Sequence, residues 1–415
     1  MNYVVTRTDA SAVEDAASSP ITVCMLFLET VARNESRVMR DATTLVEAGY
    51  AVTIVDIEKD LTRPAEEDFR GVHFKHIFMR SWYTPTRFKP WYLVKLAWAF
   101  IRSTIRLLQT PADIYHVHNE RALPACYIAA RLCHKPLIFD VPELTLSDPR
   151  YARWRRLSVL STHLLARMLP YCAGVIATSP FHAQEIRKLF RLPEVTLVRN
   201  VPAYRAVPKS NRLRQNLGLS STTRIALYQG NLQPNRGLHV LVRAAKFLKP
   251  DIVIVMMGRG SQETLPQLTS LITSEGVADR VKIIPPVPYE ELLDWTASAD
   301  LGLNVLPPDY SLSIRGCLPN KFFEYLMAGL PVLSSELDAI GAVIRMYNVG
   351  QIISSLAPAN VAAAINKMLD DQENLARMHR NALEAARSEF CWEKESQNLF
   401  DLYHKILSKP ENLVS

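Results

Sequence analysis

A lysine and a carboxylate stand three residues apart in the string Pro319-Asn-Lys-Phe-Phe-Glu-Tyr-Leu-Met-Ala-Gly329. Proline suits a first helical position and glycine the residue just past a helix end, so roughly three turns of helix are expected between them. At ~100° per residue Phe322, Phe323, Leu326 and Met327 share one face, and Lys321 and Glu324 are expected to point away from it. The loop over residues 309–318, with Ser311, Ser313 and Gly316, enters this helix from a strand-like run at 301–306, and a short strand is expected at 331–334. A loop feeding a helix N-terminus beside parallel strand ends is a place where nucleotides and phosphates bind. A lone helix-face glutamate is usually just solvated. Set in this string, Glu324 can accept two hydrogen bonds from vicinal hydroxyls.

Other residues offer complementary chemistry. In Tyr228-Gln-Gly-Asn-Leu-Gln-Pro-Asn-Arg-Gly237 the Arg236 guanidinium can hold phosphate with two parallel bonds, while Gly230 and Gly237 let backbone pass close to a ligand. Gly258-Arg259-Gly260 lacks the third glycine of a dinucleotide fingerprint, and the opening turn at 28–35 has no glycine at all, which argues against a nicotinamide dehydrogenase. In the first half, Val117-His-Asn-Glu120 and Phe139-Asp-Val-Pro-Glu143 fall at strand ends. His118, Asp140, Glu143 or Glu120 could there accept a proton from a hydroxyl.

At 415 residues the chain is long for one core, and two domains of about 200 residues are expected. Strand and helix patterns alternate twice, separated by a polar, basic stretch with two prolines at 202–214; parallel sheets covered on both faces follow. Residues 1–20 read as a disordered lead-in without the basic start and apolar centre of a signal peptide. No run of about 18 apolar residues is present, so no spanning helix is expected. The six cysteines are scattered without a C-x-x-C pair, so a reduced setting is expected, with neither a disulfide framework nor a metal site. The net charge of +7 is uneven. Residues 69–112 and 149–184 contain no acid, and their arginines and lysines are interleaved with large aromatics such as Trp82, Tyr83, Trp91, Trp98, Tyr151 and Trp154. Such a mixture suits an anionic membrane surface. No zinc finger, RNP motif or recognition helix supports nucleic acid as a partner.

At residues 319–335 the chain resembles the second half of a GT-B glycosyltransferase of the large retaining family 4 type, and the similarity extends over about 21–407. The resemblance implies two Rossmann-like, doubly wound parallel-sheet α/β domains facing across a cleft: 21–205 for the acceptor, a linker at 206–214, and 215–390 for the nucleotide sugar. Residues 391–415 would return to the first domain. It implies that Glu324 grips the donor ribose and that Arg236 meets the diphosphate with Asn320 and Lys321. Arg259 would be a further phosphate ligand, and Val287 would offer backbone to the nucleobase. Three departures stand out. Asn231 replaces an arginine frequent after the first glycine, for which Arg259, Arg315 or Lys321 could compensate. Gly316 replaces the earlier glutamate of E-x7-E, and Pro142 a histidine near the reacting sugar. Asn34-Glu-Ser-Arg-Val38 resembles a first-loop signature that would turn Arg37 to the cleft.

The implied activity is transfer of a sugar from a nucleoside diphosphate to a lipid-linked or glycan acceptor in cell-surface polysaccharide synthesis. Configuration would be retained, with no cofactor and no metal, at the inner face of the cytoplasmic membrane. A same-fold sugar-nucleotide epimerase or hydrolase, and a non-catalytic nucleotide-sugar-binding subunit, remain as alternatives.

Overall fold

The computed structural model of the chain describes residues 19–79, 89–141 and 155–408. Its first sheet is built from β1 (Thr22–Phe27), β2 (Ala51–Glu58), β3 (Glu66–Phe69), β4 (Val72–Phe78), β5 (Ile114–His118), β6 (Leu137–Val141), β7 (Gly174–Ala177) and β8 (Thr196–Leu197). They lie in the order β3-β4-β2-β1-β5-β6-β7-β8, parallel apart from the β3–β4 hairpin. The connecting helices are α1 (Ser36–Glu47), α2 (Lys89–Leu108), α3 (Leu123–Cys133), α4 (Arg155–Met168) and α5 (Pro180–Phe190).

The second sheet contains β9 (Arg224–Gln229), β10 (Ile252–Met257), β11 (Val281–Ile284), β12 (Leu301–Asn304), β13 (Val332–Ser335) and β14 (Gly350–Ile353). All run parallel, in the order β11-β10-β9-β12-β13-β14. Around it lie α6 (Arg212–Leu217), α7 (Leu238–Ala244), α8 (Thr264–Ser274), α9 (Tyr289–Thr296), α10 (Leu312–Gly316), α11 (Asn320–Met327), α12 (Asp338–Tyr347), α13 (Pro358–Asp370), α14 (Gln372–Ser388) and α15 (Trp392–Leu407).

Central strands such as β10, Ile-Val-Ile-Val-Met-Met, are buried on every residue, the signature of a sheet covered on both faces. In both sheets the strand order reverses at one point, between β1 and β5 and between β9 and β12, which opens a crevice at the C-terminal strand ends. This is the GT-B architecture: two doubly wound α/β domains. The last helix, α15, packs back on the first of them. Trp392 Nε1 donates to Thr44 Oγ1 at 2.7 Å, and Leu402 fills the space a side chain at Gly174 would need, 2.8 Å from its Cβ position.

Three elements depart from expectation. The β3–β4 hairpin turns through Arg70 and Gly71, both at positive φ, and β14 closes the second sheet's edge. Helix α11 is only eight residues long and is buried at every residue after Asn320, so Lys321 and Glu324 are not on a solvent face. They sit 8% exposed beneath the loops of the second domain.

Candidate functional site

The site is built on the C-terminal edge of the second sheet. The turn after β9 begins at Gly230 and ends at Gly237, which has φ +74° and lies so close to β12 that a Cβ would fall 2.1 Å from the Val305 carbonyl oxygen. Only glycine fits both constraints. The turn after β10 meets it: Gly258 lies against the Gly230 carbonyl, and Leu232 N–H donates to Arg259 O at 2.8 Å. Arg236 and Arg259, one from each turn, form no ion pair with any described residue. Asn231 and Asn320 are exposed at the same rim, and Val287 is half-buried in the turn after β11.

Helix α11 brings the other two groups inward. Glu324 Oε2 accepts from Gln229 Nε2 at 2.5 Å, and Gln229 Oε1 in turn accepts from Thr296 Oγ1 at 2.7 Å, so strand, α9 and α11 fix the carboxylate together. Burial raises the Glu324 pKa, partly offset by the Gln229 bond and by the charges of Arg40 and Lys321. Lys321 Nζ lies 3.9 Å from the Tyr228 ring centroid, a cation–π contact. Burial, followed by the nearby Arg236 charge, pushes the Lys321 ammonium down to about 7. A dianionic ligand at this rim would relieve both effects.

Arg315 is less available as a compensating cation, because it pairs with Asp338 at 2.9 Å. Gly316 has a steric reason. A Cβ there would fall 2.0 Å from Phe181 Cδ1, and its carbonyl accepts from Ser179 Oγ at 2.6 Å. With His182 Nε2 3.2 Å from Ser313 O, the start of α5 closes on α10 and joins the two domains. Sequence reasoning missed Phe181, Gln229 and Tyr228. The apolar Ser-Pro-Phe helix start at 179–181 was the available signal for the first.

The first domain's residues behave differently. The strand registers Phe27↔His118 and His118↔Asp140 set these side chains next to each other. Asp140 is completely buried, and Arg37 grips both its oxygens, Nε to Oδ2 at 2.6 Å and Nη2 to Oδ1 at 2.9 Å. Asp140 Oδ2 also lies 3.1 Å from His118 Nδ1. The Asp140 carboxyl sits well below the usual range; burial would raise it, and the Arg37 charge prevails. Asp140 is thus engaged within the protein, and the His118 side chain is 3% exposed. Glu143 and Pro142 lie outside the described residues, as do the basic aromatic positions 80–88 and 149–154. Arg37 does not face the cleft. One turn on, Arg40 spans it instead, donating to Asn200 Oδ1 at 2.8 Å and to Tyr289 Oη at 3.2 Å.

Comparison with known proteins divides the chain at the same place. The family described as Glycosyltransferase Family 4 matches residues 35–201, and the family described as Glycosyl transferases group 1 matches residues 209–385. D-inositol 3-phosphate glycosyltransferase of Thermobispora bispora is 28% identical over 255 residues, 58% of each chain. The enzyme of the same name from Nocardia farcinica is 30% identical over 52% of this chain and 47% of its own. The match thus spans between about half and three-fifths of these relatives' length. Among solved structures, sucrose-phosphate synthase from Thermosynechococcus elongatus superposes with a TM-score of 0.77 at 16% identity, covering 94% of this chain and 99% of that one. Anabaena HepE, solved with UDP, gives 0.69 at 15% identity, covering 92% and 99%.

Proposed function

The chain belongs to the family 4-type glycosyltransferases of GT-B fold, and from that premise we propose that it transfers a sugar from a nucleoside diphosphate to a lipid-linked acceptor in the synthesis of a cell-surface glycan. The observation that carries the donor half is the convergence of Glu324, Lys321 and Arg236 on one strand edge, with Arg236 free of any described ion-pair partner. Glu324 accepts both ribose hydroxyls. Arg236, Lys321 and Arg259 neutralise the diphosphate, most strongly as it departs with full charge. The bond from the anomeric carbon to the β-phosphate oxygen breaks, a bond to the acceptor oxygen forms and the acceptor's hydroxyl proton passes to the departing diphosphate, with retention at that carbon.

The acceptor half rests on α2. Trp91, Val94, Trp98, Ile101, Ile105 and Leu108 recur every three or four residues and are all exposed. Ala99, Ser103 and Leu107 are buried on the opposite face. The helix therefore carries a second apolar stripe turned outward, and it bears no acid. Arg102 stacks on Trp98 at 5.1 Å. Among the described residues no helix is long and apolar enough to cross a membrane. The stripe suits shallow insertion at an anionic surface, on the inner face of the cytoplasmic membrane, where a lipid diphosphate carrier is presented. A second reading, a water-soluble phosphorylated polyol as acceptor, is favoured by the names of the relatives.

One experiment separates them. The chain is incubated with UDP-, GDP- and other activated sugars, together with either lipid diphosphate acceptors in anionic vesicles or soluble polyol phosphates. Glycosylated lipid is the expected product. Product from the soluble acceptor alone would favour the second reading, and nucleotide-sugar hydrolysis or epimerisation with neither acceptor would contradict both.

A further inference from the structure

Under α1, side chains from three separate segments meet: Asp41, His116, His118 and Asp140, all buried, each offering one ligand atom within 4.8 Å of the others. Helix periodicity puts Arg37 and Asp41 on one face of α1, and strand alternation puts His116 and His118 on one face of β5. The two imidazole rings stack with centroids 4.4 Å apart. Each ring is held from behind: Tyr403 Oη lies 2.9 Å from His116 Nδ1, and Asp140 Oδ2 lies 3.1 Å from His118 Nδ1. What remains is unsatisfied. Nε2 of His116, Nε2 of His118 and both carboxylate oxygens of Asp41 are buried without any hydrogen-bond partner.

We propose that Asp41, His116 and His118 bind a first-row divalent metal ion of the zinc type, with Asp140 and Tyr403 orienting the two histidines. Two imidazoles and a carboxylate are ligands such ions take. Outer partners on the remaining ring nitrogens are the usual companion of metal-ligating histidine, because they fix the tautomer that leaves Nε2 as the ligand. Hydrogen bonding supports the assignment. Arg37 is engaged with Asp140 and with the Val198 carbonyl at 3.0 Å and makes no hydrogen bond to Asp41, whose two oxygens accept none. A single proton would pair one nitrogen with one oxygen and leave the other nitrogen and oxygen orphaned. A divalent ion meets all three groups at once.

The site is enclosed and distinct from the nucleotide edge. Its role is structural: it ties α1 to β5, and through Tyr403 to the returning helix α15. The expectation of no metal site rests on the six scattered cysteines, and none of them takes part here.

The test uses the full chain produced in cobalt- or zinc-supplemented medium, with metal content measured by mass spectrometry and the cobalt form by visible absorption. The expected result is about one ion per folded chain with cobalt ligand-field bands, lost in Asp41→Asn and His116→Gln and kept in His239→Gln, which lies on the second domain. Tyr403→Phe leaves the ligands in place and is expected to weaken metal retention against a chelator by about 10–100-fold. A folded wild-type chain without stoichiometric metal would overturn the proposal. So would undiminished loading in Asp41→Asn, or unchanged retention in Tyr403→Phe should the ligand variants not fold.

Discussion

The two sheets each reverse strand order at one switch point, yet they treat charge at their C-terminal edges in opposite ways. At the first edge Arg37 locks Asp140, which also lies against His118, and all of them are sealed from solvent. At the second edge Arg236 and Arg259 stand without ion-pair partners among the described residues, while Lys321 and Glu324 are buried with their charges perturbed by desolvation. The Arg37–Asp140 pair, satisfied within the protein, holds structure together, whereas Arg236 and Arg259, with no described ion-pair partner, are poised for a ligand. On this contrast the second edge is the proposed seat of the nucleotide diphosphate. The Arg37–Asp140 pair at the first edge is a clamp, and the proposed acceptor surface lies elsewhere in that domain, at the exposed stripe of α2.

The contrast can be broken most sharply at the clamp. Asp140→Asn leaves the Arg37 charge buried and uncompensated, and should cost about 3–5 kcal/mol of stability by denaturant melt. Nucleotide affinity, measured where the variant is still folded, should stay within about twofold, since no ligand contact is lost. A large affinity loss with unchanged stability would reverse the roles of the two edges. Glu324→Ala should do the opposite. Loss of two charge-assisted bonds predicts roughly 100-fold weaker nucleoside diphosphate binding by calorimetry, with only a modest change in melting.

Arg236→Ala should weaken a nucleoside diphosphate by about 10- to 30-fold and the corresponding nucleoside hardly at all. The pH dependence is finer. The Lys321 ammonium, held down to about 7, is favoured by a bound diphosphate, so binding takes up a proton above that pH. Affinity should therefore be level just below pH 7 and fall by at most about tenfold per unit above it, a limb that Lys321→Arg removes. At acid pH the raised Glu324 pKa works the other way: protonation weakens its acceptance of hydroxyls. Smallest is the interdomain contact. Gly316→Glu must displace the Phe181 ring, costing about 1–3 kcal/mol in melting, and Phe181→Ala in the same chain should recover part of it.

What could be read from the sequence follows the range of the contacts. The donor edge was legible because Gly230 to Gly237 and Pro319 to Gly329 are local strings, each a turn or helix that carries its own chemistry. The alternating elements gave both parallel sheets for the same reason. The clamp was not legible: Arg37 meets Asp140 across 103 residues and His116 meets Tyr403 across 287, so no spacing announces them. Asp140 is readable as a strand-end carboxylate, but its pairing with Arg37 is not. Strand β3, Glu-Glu-Asp-Phe, has no apolar alternation, since it is a mostly exposed edge held by pairing with β4. The burial of Glu324 was hidden by helix periodicity, which marks the most apolar face and cannot tell that loops and α14 enclose the rest.

The most direct test is a crystal structure of the chain with a nucleoside diphosphate sugar or its non-reactive analogue. The account predicts ribose hydroxyls on Glu324 and phosphate oxygens within hydrogen-bond reach of Arg236 and Lys321. A nucleotide bound instead at the first sheet's edge, with Arg37 released from Asp140 to hold it, would contradict the account.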